Sequence, residues 1–407
     1  MSAWSLAWTY LWSRPLGTVL NIVLLSLGLS AMALVVNVQD QVDHAFERDL
    51  AGIDAVVGAK GSPMQLILSA VFHIDAPTGN ISLAAAQTVA QHPLVQSAIP
   101  VSLGDNVGGW RIVGTSTELG KLYGATLRDG RWWSAPMEAV LGASVVAQRQ
   151  WPVGQRFYGT HGLGQGGAVH DDGTPYTVVG VLQPCQCVLD RLVLTDQTSV
   201  WQIHEEMHTG EDPLDAQDLA AIASEREITA MLIRYRSDLA AVSYPRYVNQ
   251  QAGLQAAAPA MEITRLLSMV GVGAQAARGM GWLLLIIAAL SVFIALWTAL
   301  RERKTDLALL RMLGAPAPRL LGLVLIEAFW LGVIASILGL LLAHTALWVL
   351  SQTSELARHV HWNPGWWAPA EFGLPFVAIG LSLFAAVVPA LAAYRADTRP
   401  LFHPDPS

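Results

Sequence analysis

Four long apolar runs constrain this chain more than any other feature. They are 18–38 (TVLNIVLLSLGLSAMALVVNV), 281–300 (GWLLLIIAALSVFIALWTAL), 320–350 and 374–394. A helix needs roughly 20 apolar residues to cross a bilayer, and all four reach that length. The third is longer than needed, which predicts tilt or emergence from the hydrocarbon. Only 14% of the 407 residues are charged, against about 25% in ordinary soluble chains. Fifteen tryptophans suit a chain with two membrane–water interfaces. Arg14 before the first run and Ala31-Met32-Ala33 inside it resemble a signal peptide. The apolar residues continue to Val38, however, and the run exceeds a typical signal core, so an uncleaved anchor is expected.

Charge in the connecting segments predicts orientation. Residues 301–319 carry five Lys/Arg against two acidic residues, whereas Arg358 is the one Lys/Arg between runs three and four. The positive-inside rule then places both termini and 301–319 in the cytoplasm and residues 39–280 outside. That outer segment holds 24 Asp/Glu against 15 Lys/Arg, a balance that argues against nucleic acid.

The expected architecture is a membrane protein of four transmembrane α-helices, with a large α+β extracytoplasmic domain between spans one and two carried on helical stalks. Residues 1–16 form either an interfacial helix, with Trp4, Trp8 and Trp12 on one face, or an extension of span one. The spans are 17–38, 281–300, 320–350 and 374–394. The outer domain with its stalks is 39–280, and 301–319 is a cytoplasmic loop with a short amphipathic helix. Residues 351–373 form a short outer loop and 395–407 a cytoplasmic tail. Within the domain, 111–115, 138–142, 177–182, 191–195 and 229–235 read as strands. Residues 82–93 and 212–225 read as helices, the first opened by Ser82 and closed at Pro93.

Residues 204–208, HEEMH, match H-E-x-x-H, the helical zinc pattern of metalloproteases. His161, His170, Cys185, Cys187 and His208 cluster with His204 within 48 residues. Zinc or copper would suit such donors. Solvated surface histidines, a Cys185–Cys187 disulfide and free thiols are the competing readings. No third protein ligand is marked, so proteolysis is the remote alternative.

The loop and start of span three read RERKTDLALLRMLGAPAPRLLGLVLIEAFWLG (301–332). The residues Arg301-Glu302-Arg303, Asp306, Leu310-Arg311, Leu313-Gly314-Ala315, Leu325-Ile326-Glu327-Ala328 and Gly332 resemble the FtsX-like permeases of ABC transporters. Asp306 stands where that family usually has glutamate. PALAAYRADTRP (389–400) is similar to the family's closing motif, with Thr398-Arg399 intervening. RIVGT, LRDGRWW, EAVLGASVVAQRQWPVGQRF and YTVVGVLQP look like the periplasmic core domain of MacB-type permeases.

The resemblance implies a dimeric ABC permease in a bacterial inner membrane, not an enzyme, serving export, extraction or mechanotransmission. It implies an ATPase partner coupled through Arg301, Glu302, Arg303, Asp306, Leu310, Arg311, Leu313 and Gly314. No G-x-x-x-x-G-K-[S/T] occurs, so ATP is expected on a separate subunit. Further expected partners are a second permease copy or paralogue and a periplasmic binding or membrane-fusion protein. An ATPase-coupled scaffold or sensor is the alternative. Glu327 is either a polar contact that moves in the cycle or an interfacial residue that snorkels. Gly332, Ser336, Gly339 and Ala343 share one face of span three, a small-residue stripe that serves a dimer or internal packing equally well.

Overall fold

The computed structural model describes residues 3–162, 174–206, 225–353 and 362–395. The chain forms two compact units, Met1–Asp43 with Met269–Ser407, and His44–Ser268.

The first unit is helical. Ala3–Leu11 is a helix of its own, and span one starts afresh at Pro15. Proline suits that place, because its missing N–H would be unpaired in a first helical turn anyway. Thr18 Oγ1 ties the corner by donating to Leu11 O at 2.5 Å. Trp4 and Trp8 set ring edges against Phe329 and Trp330, so the N-terminal helix is docked on span three.

Spans one to four are helices Pro15–Leu50, Pro259–Glu302, Ala317–Thr353 and Leu374–Tyr394. All are long and apolar enough to cross a membrane. At 1.5 Å per residue the first two reach about 54 and 66 Å, well beyond a hydrocarbon core of about 30 Å. Their polar ends are the helical continuations that the sequence predicted.

Small residues set the bundle's contacts. A Cβ on Gly332 would come within 2.8 Å of Ile379 Cα, and one on Gly339 within 3.0 Å of Leu29 Cβ. Ser336 and Ala343 are buried on the same face. The stripe therefore packs span three against spans four and one of its own chain. These four residues serve packing within this chain, since close helix approach needs small side chains.

The second unit is built on a mixed sheet. Its main strands are β1 (Ala55–Ala59), β3 (Val95–Val107), β4 (Trp110–Thr115), β5 (Leu127–Gly130), β6 (Glu138–Leu141), β9 (Tyr176–Leu182), β10 (Leu192–Asp196), β12 (Ala230–Tyr235) and β13 (Leu254–Ala257). The short strands β2 (Ile81–Ser82) and β11 (Glu227–Ile228) pair with each other, while β7 (Arg156–Phe157) and β8 (Thr160–His161) join β9 and β3. The spatial order is β13-β1-β12-β3-β4-β10-β6-β9-β5. Pairs β4–β10 and β6–β9 are parallel and the other neighbours antiparallel.

Alternate residues enter opposite cores. Val113, Leu192 and Leu194 face the core that contains Leu66 and Ile67. Ile112 and Val193 face the other side, with Phe157 and Tyr176. Toward the far edge, Met231 and Ile233 meet Tyr244. Both sheet faces are thus covered, which explains strands that read as unbroken apolar runs. All five predicted strands are present within a residue or two. Ser82 caps helix Leu83–Ala90 by accepting from Ala85 N, as predicted. The predicted helix 212–225 lies, but for Glu225, outside the described residues.

Two outcomes test this account. Gly332→Leu inserts a side chain where Ile379 already lies, and should destabilise the bundle by about 1–3 kcal/mol. Gly322→Leu, which meets nothing within 4 Å, should leave the unfolding midpoint in detergent nearly unchanged. The second concerns His73, which is buried, and whose pKa is held well below 6.5 by burial and then by Arg111 and Arg191. The native imidazole stays neutral while the unfolded one takes a proton below pH about 6.5. Stability should therefore fall as pH drops through that value. His73→Gln should flatten thermal unfolding followed between pH about 7.5 and 5.

Candidate functional site

The loop between spans two and three is compact. Span two ends at Glu302, helix Lys304–Met312 follows, and span three begins at Ala317. Gly314 ends the short helix at φ +91°, its N–H donating to Arg311 O at 3.0 Å. A left-handed helix terminus of this kind favours glycine, which gives Leu313-Gly314 a physical reason.

Arg303 sits at the corner and points inward. Its Nη1 donates to Glu327 Oε1 at 3.0 Å, and its Nη2 to Tyr10 O at 2.6 Å and Ser13 Oγ at 2.5 Å. The guanidinium also lies 4.4 Å from the Tyr10 ring centroid. Glu327 is 5% exposed. A charge buried in an apolar bundle is tolerated when paired in this way. Glu327 thus has an ionic partner, and Arg303, one of the residues expected to couple an ATPase, braces the corner inside the unit. A cavity of about 220 Å³ adjoins the pair, lined on its polar side by Arg14, Thr18 and Asn21.

Arg311, Arg14 and Arg301 are also engaged. Arg311 Nη1 donates to Tyr394 O, at the end of span four, at 3.2 Å, where a cation meets the helix dipole favourably. Arg14 pairs with Glu302, and Arg301 lies over Trp297 at 5.6 Å. The short helix turns an apolar edge outward: Leu309 and Met312 are about half exposed and Leu313 is 85% exposed. Asp306 is exposed beside them. The side chain of Leu310 lies outside the described residues.

The opposite end of the bundle holds a polar cluster that the sequence reading passed over. Glu371 is fully buried. Asn37 Nδ2 donates to its Oε1 at 2.7 Å, and His344 Nε2 lies 3.3 Å from its Oε2. Asn37 also donates to Trp366 O at 2.9 Å, and Trp366 Nε1 donates to Asp40 at 2.7 Å. Residues 362–373 are thus strapped to the polar end of span one. Polar groups near the ends of apolar runs, Asn37 and His344, were the available signal.

The predicted metal donors divide. His161, on β8, pairs with the buried Asp105 at 3.2 Å. Cys185 and Cys187 form a disulfide, so neither sulfur is a thiolate. His204 falls on helix Gln197–Glu206, but its side chain, His170 and His208 lie outside the described residues. Among the described residues no three His, Cys, Asp or Glu side chains converge as a metal site.

The Arg303–Glu327 pair makes a quantitative prediction. Arg303→Gln leaves Glu327 buried without its cation, which costs about 3–5 kcal/mol. Arg303→Met with Glu327→Leu should recover most of that loss. Arg311→Gln, which removes a cation from the end of span four, should cost about 0.3–1 kcal/mol through that contact. Unfolding midpoints of the purified variants measure all three.

Comparison with known proteins agrees with this layout. The FtsX-like permease C-terminal family matches residues 278–398, and the MacB-like periplasmic core domain family matches residues 18–256. No curated protein matches the chain. Among solved structures, the periplasmic region of MacB from Actinobacillus actinomycetemcomitans is similar at 13% identity, over 54% of this chain and 95% of that one, with a TM-score of 0.35. The extracellular domain of the noncanonic ABC-type transporter YknZ from Gram-positive bacteria is similar at 11% identity, over 50% and 98%, with a TM-score of 0.31. The two family matches cover both the sheet domain and the helices that follow it, and the chain belongs to the FtsX/MacB-type permease family of ABC transporters.

Proposed function

We propose that this chain is the membrane subunit through which ATP hydrolysis on a separate ATPase moves the 44–268 domain, for export, extraction or mechanical transmission. The observation that carries this reading is the apolar rim Leu309, Met312 and Leu313 on helix Lys304–Met312. An apolar edge held outside the bundle suits a groove on a partner, and family membership makes an ABC ATPase that partner. ATP binds there and not on this chain. In this reading the short helix and both termini lie in the cytoplasm, the domain lies on the far side of the bacterial inner membrane, and a second permease copy completes the pathway.

The inward side chains suggest how a push would travel. Arg303 joins the corner to Glu327 on span three and to Tyr10 and Ser13 beside the N-terminal helix. Arg311 joins the short helix to the end of span four. A displacement of the short helix would then reach these helices as one body, because each bond crosses between elements. The two long helices, Pro15–Leu50 and Pro259–Glu302, supply the covalent route to the domain.

Leu309→Asp with Leu313→Asp should reduce co-purification of the ATPase from native membranes at least about tenfold, equivalent to about 1.4 kcal/mol. The unfolding midpoint should stay unchanged, since both side chains face outward. Undiminished co-purification would remove this helix as the docking element.

A further inference from the structure

Cys185 and Cys187 form a disulfide across one intervening residue, between β9 and β10. Disulfides stabilise a fold chiefly by closing long loops in the unfolded chain. This one closes three residues, so it restrains very little of the unfolded state. The loop is also held without it. Asp190, 2% exposed, accepts from Cys185 N at 3.0 Å and from Gln186 N at 2.7 Å. A bond that adds so little to the scaffold needs another account.

Its two sulfurs differ in access. Cys187 is buried at 2% exposure, Cys185 is only partly buried, and Gln186 between them is exposed. Cys185 Sγ lies 3.3 Å from Asp190 Oδ1. A disulfide sulfur has no proton to donate, so that carboxylate gains a hydrogen bond only when Cys185 becomes a thiol. The loop also touches an element that matters for motion. Val188 N donates to Asp49 Oδ1 at 3.0 Å, and Asp49 O accepts from Tyr123 Oη at 2.8 Å. Asp49 lies in the last turn of the helix that begins as span one, and Phe46 and Leu50 of that turn pack on the same core as both cysteines.

We infer that Cys185–Cys187 is an exchange-active disulfide, reduced by a protein dithiol that attacks Cys185. The incoming thiolate bonds to Cys185 Sγ as the Cys185–Cys187 bond breaks, and the electron pair leaves on Cys187 Sγ, which takes a proton from solvent. The partner's second thiolate then attacks the partner sulfur of the mixed disulfide and releases Cys185. Cys185 takes the second proton and donates to Asp190. Two electrons and two protons pass to this chain, and the partner departs as a disulfide. The reduced loop remains pinned by Asp190 and by the Val188 N–Asp49 bond.

The full-length protein in detergent, held in glutathione buffers of graded ratio and trapped with a mass-tagged maleimide, tests this. The native disulfide should open without denaturant. Cys187→Ser should accumulate a glutathione adduct on Cys185 at least ten times faster than Cys185→Ser does on Cys187, with unchanged circular dichroism in both variants. A disulfide that dithiothreitol opens only after denaturation, or equal rates at the two sulfurs, would overturn the inference.

Discussion

A guanidinium–carboxylate pair inside an apolar helical bundle is the interaction on which the first unit depends. Arg303 and Glu327 could not be buried singly, because an unpaired charge in such surroundings is far too costly. Their pairing fixes the corner at the end of span two against the side of span three. The same guanidinium reaches Tyr10 and Ser13, which orients the N-terminal helix. One side chain thus sets the relation of three elements. The short helix Lys304–Met312 is held at a defined place, with its apolar rim outward, as a consequence of that anchoring.

Close approach does the rest of the work within the bundle. Gly332 lets Ile379 of span four come near, Gly339 admits Leu29 of span one, and Gly28 lies against Leu285 of span two. Lipid tails offer no hydrophobic incentive for helices to associate, so shape and van der Waals contact must supply it. The opposite end is closed by polar chemistry: Glu371, His344 and Asn37 bury their hydrogen-bonding groups against one another. In the second unit the solution is different. A mixed sheet covered on both faces buries alternate residues of each strand in separate cores, a water-driven arrangement.

Much of this was legible in the sequence for local reasons. Spans showed because twenty apolar residues have few other uses. RIVGT and TVVGVL showed as strands because β-branched residues were bounded by turn residues, and Ser82 showed as a cap. The strand β3 was missed: its polar and Pro-containing sequence VQSAIPVSLGDNV looks unlike a central strand, and only its neighbours β4 and β12 make it one. The bracing contact of Arg303 was not legible for a related reason. A basic residue in a charged loop looks solvent-facing until Glu327, 24 positions later, is seen to lie beside it.

The sequence by itself determined the membrane class, the number of spans, the placement of the domain between the first two, and the loop motif that marks the family. These follow from composition, periodicity and contiguous residues, which are local properties. Tertiary structure decided what each polar or small residue serves. It turned the Gly332–Ala343 stripe inward, made Arg303 a brace, left Leu309, Met312 and Leu313 as the exposed edge, and joined Cys185 to Cys187. Those outcomes depend on which side chains from distant positions meet, and burial makes a charge, a glycine or a sulfur mean something only relative to its neighbours.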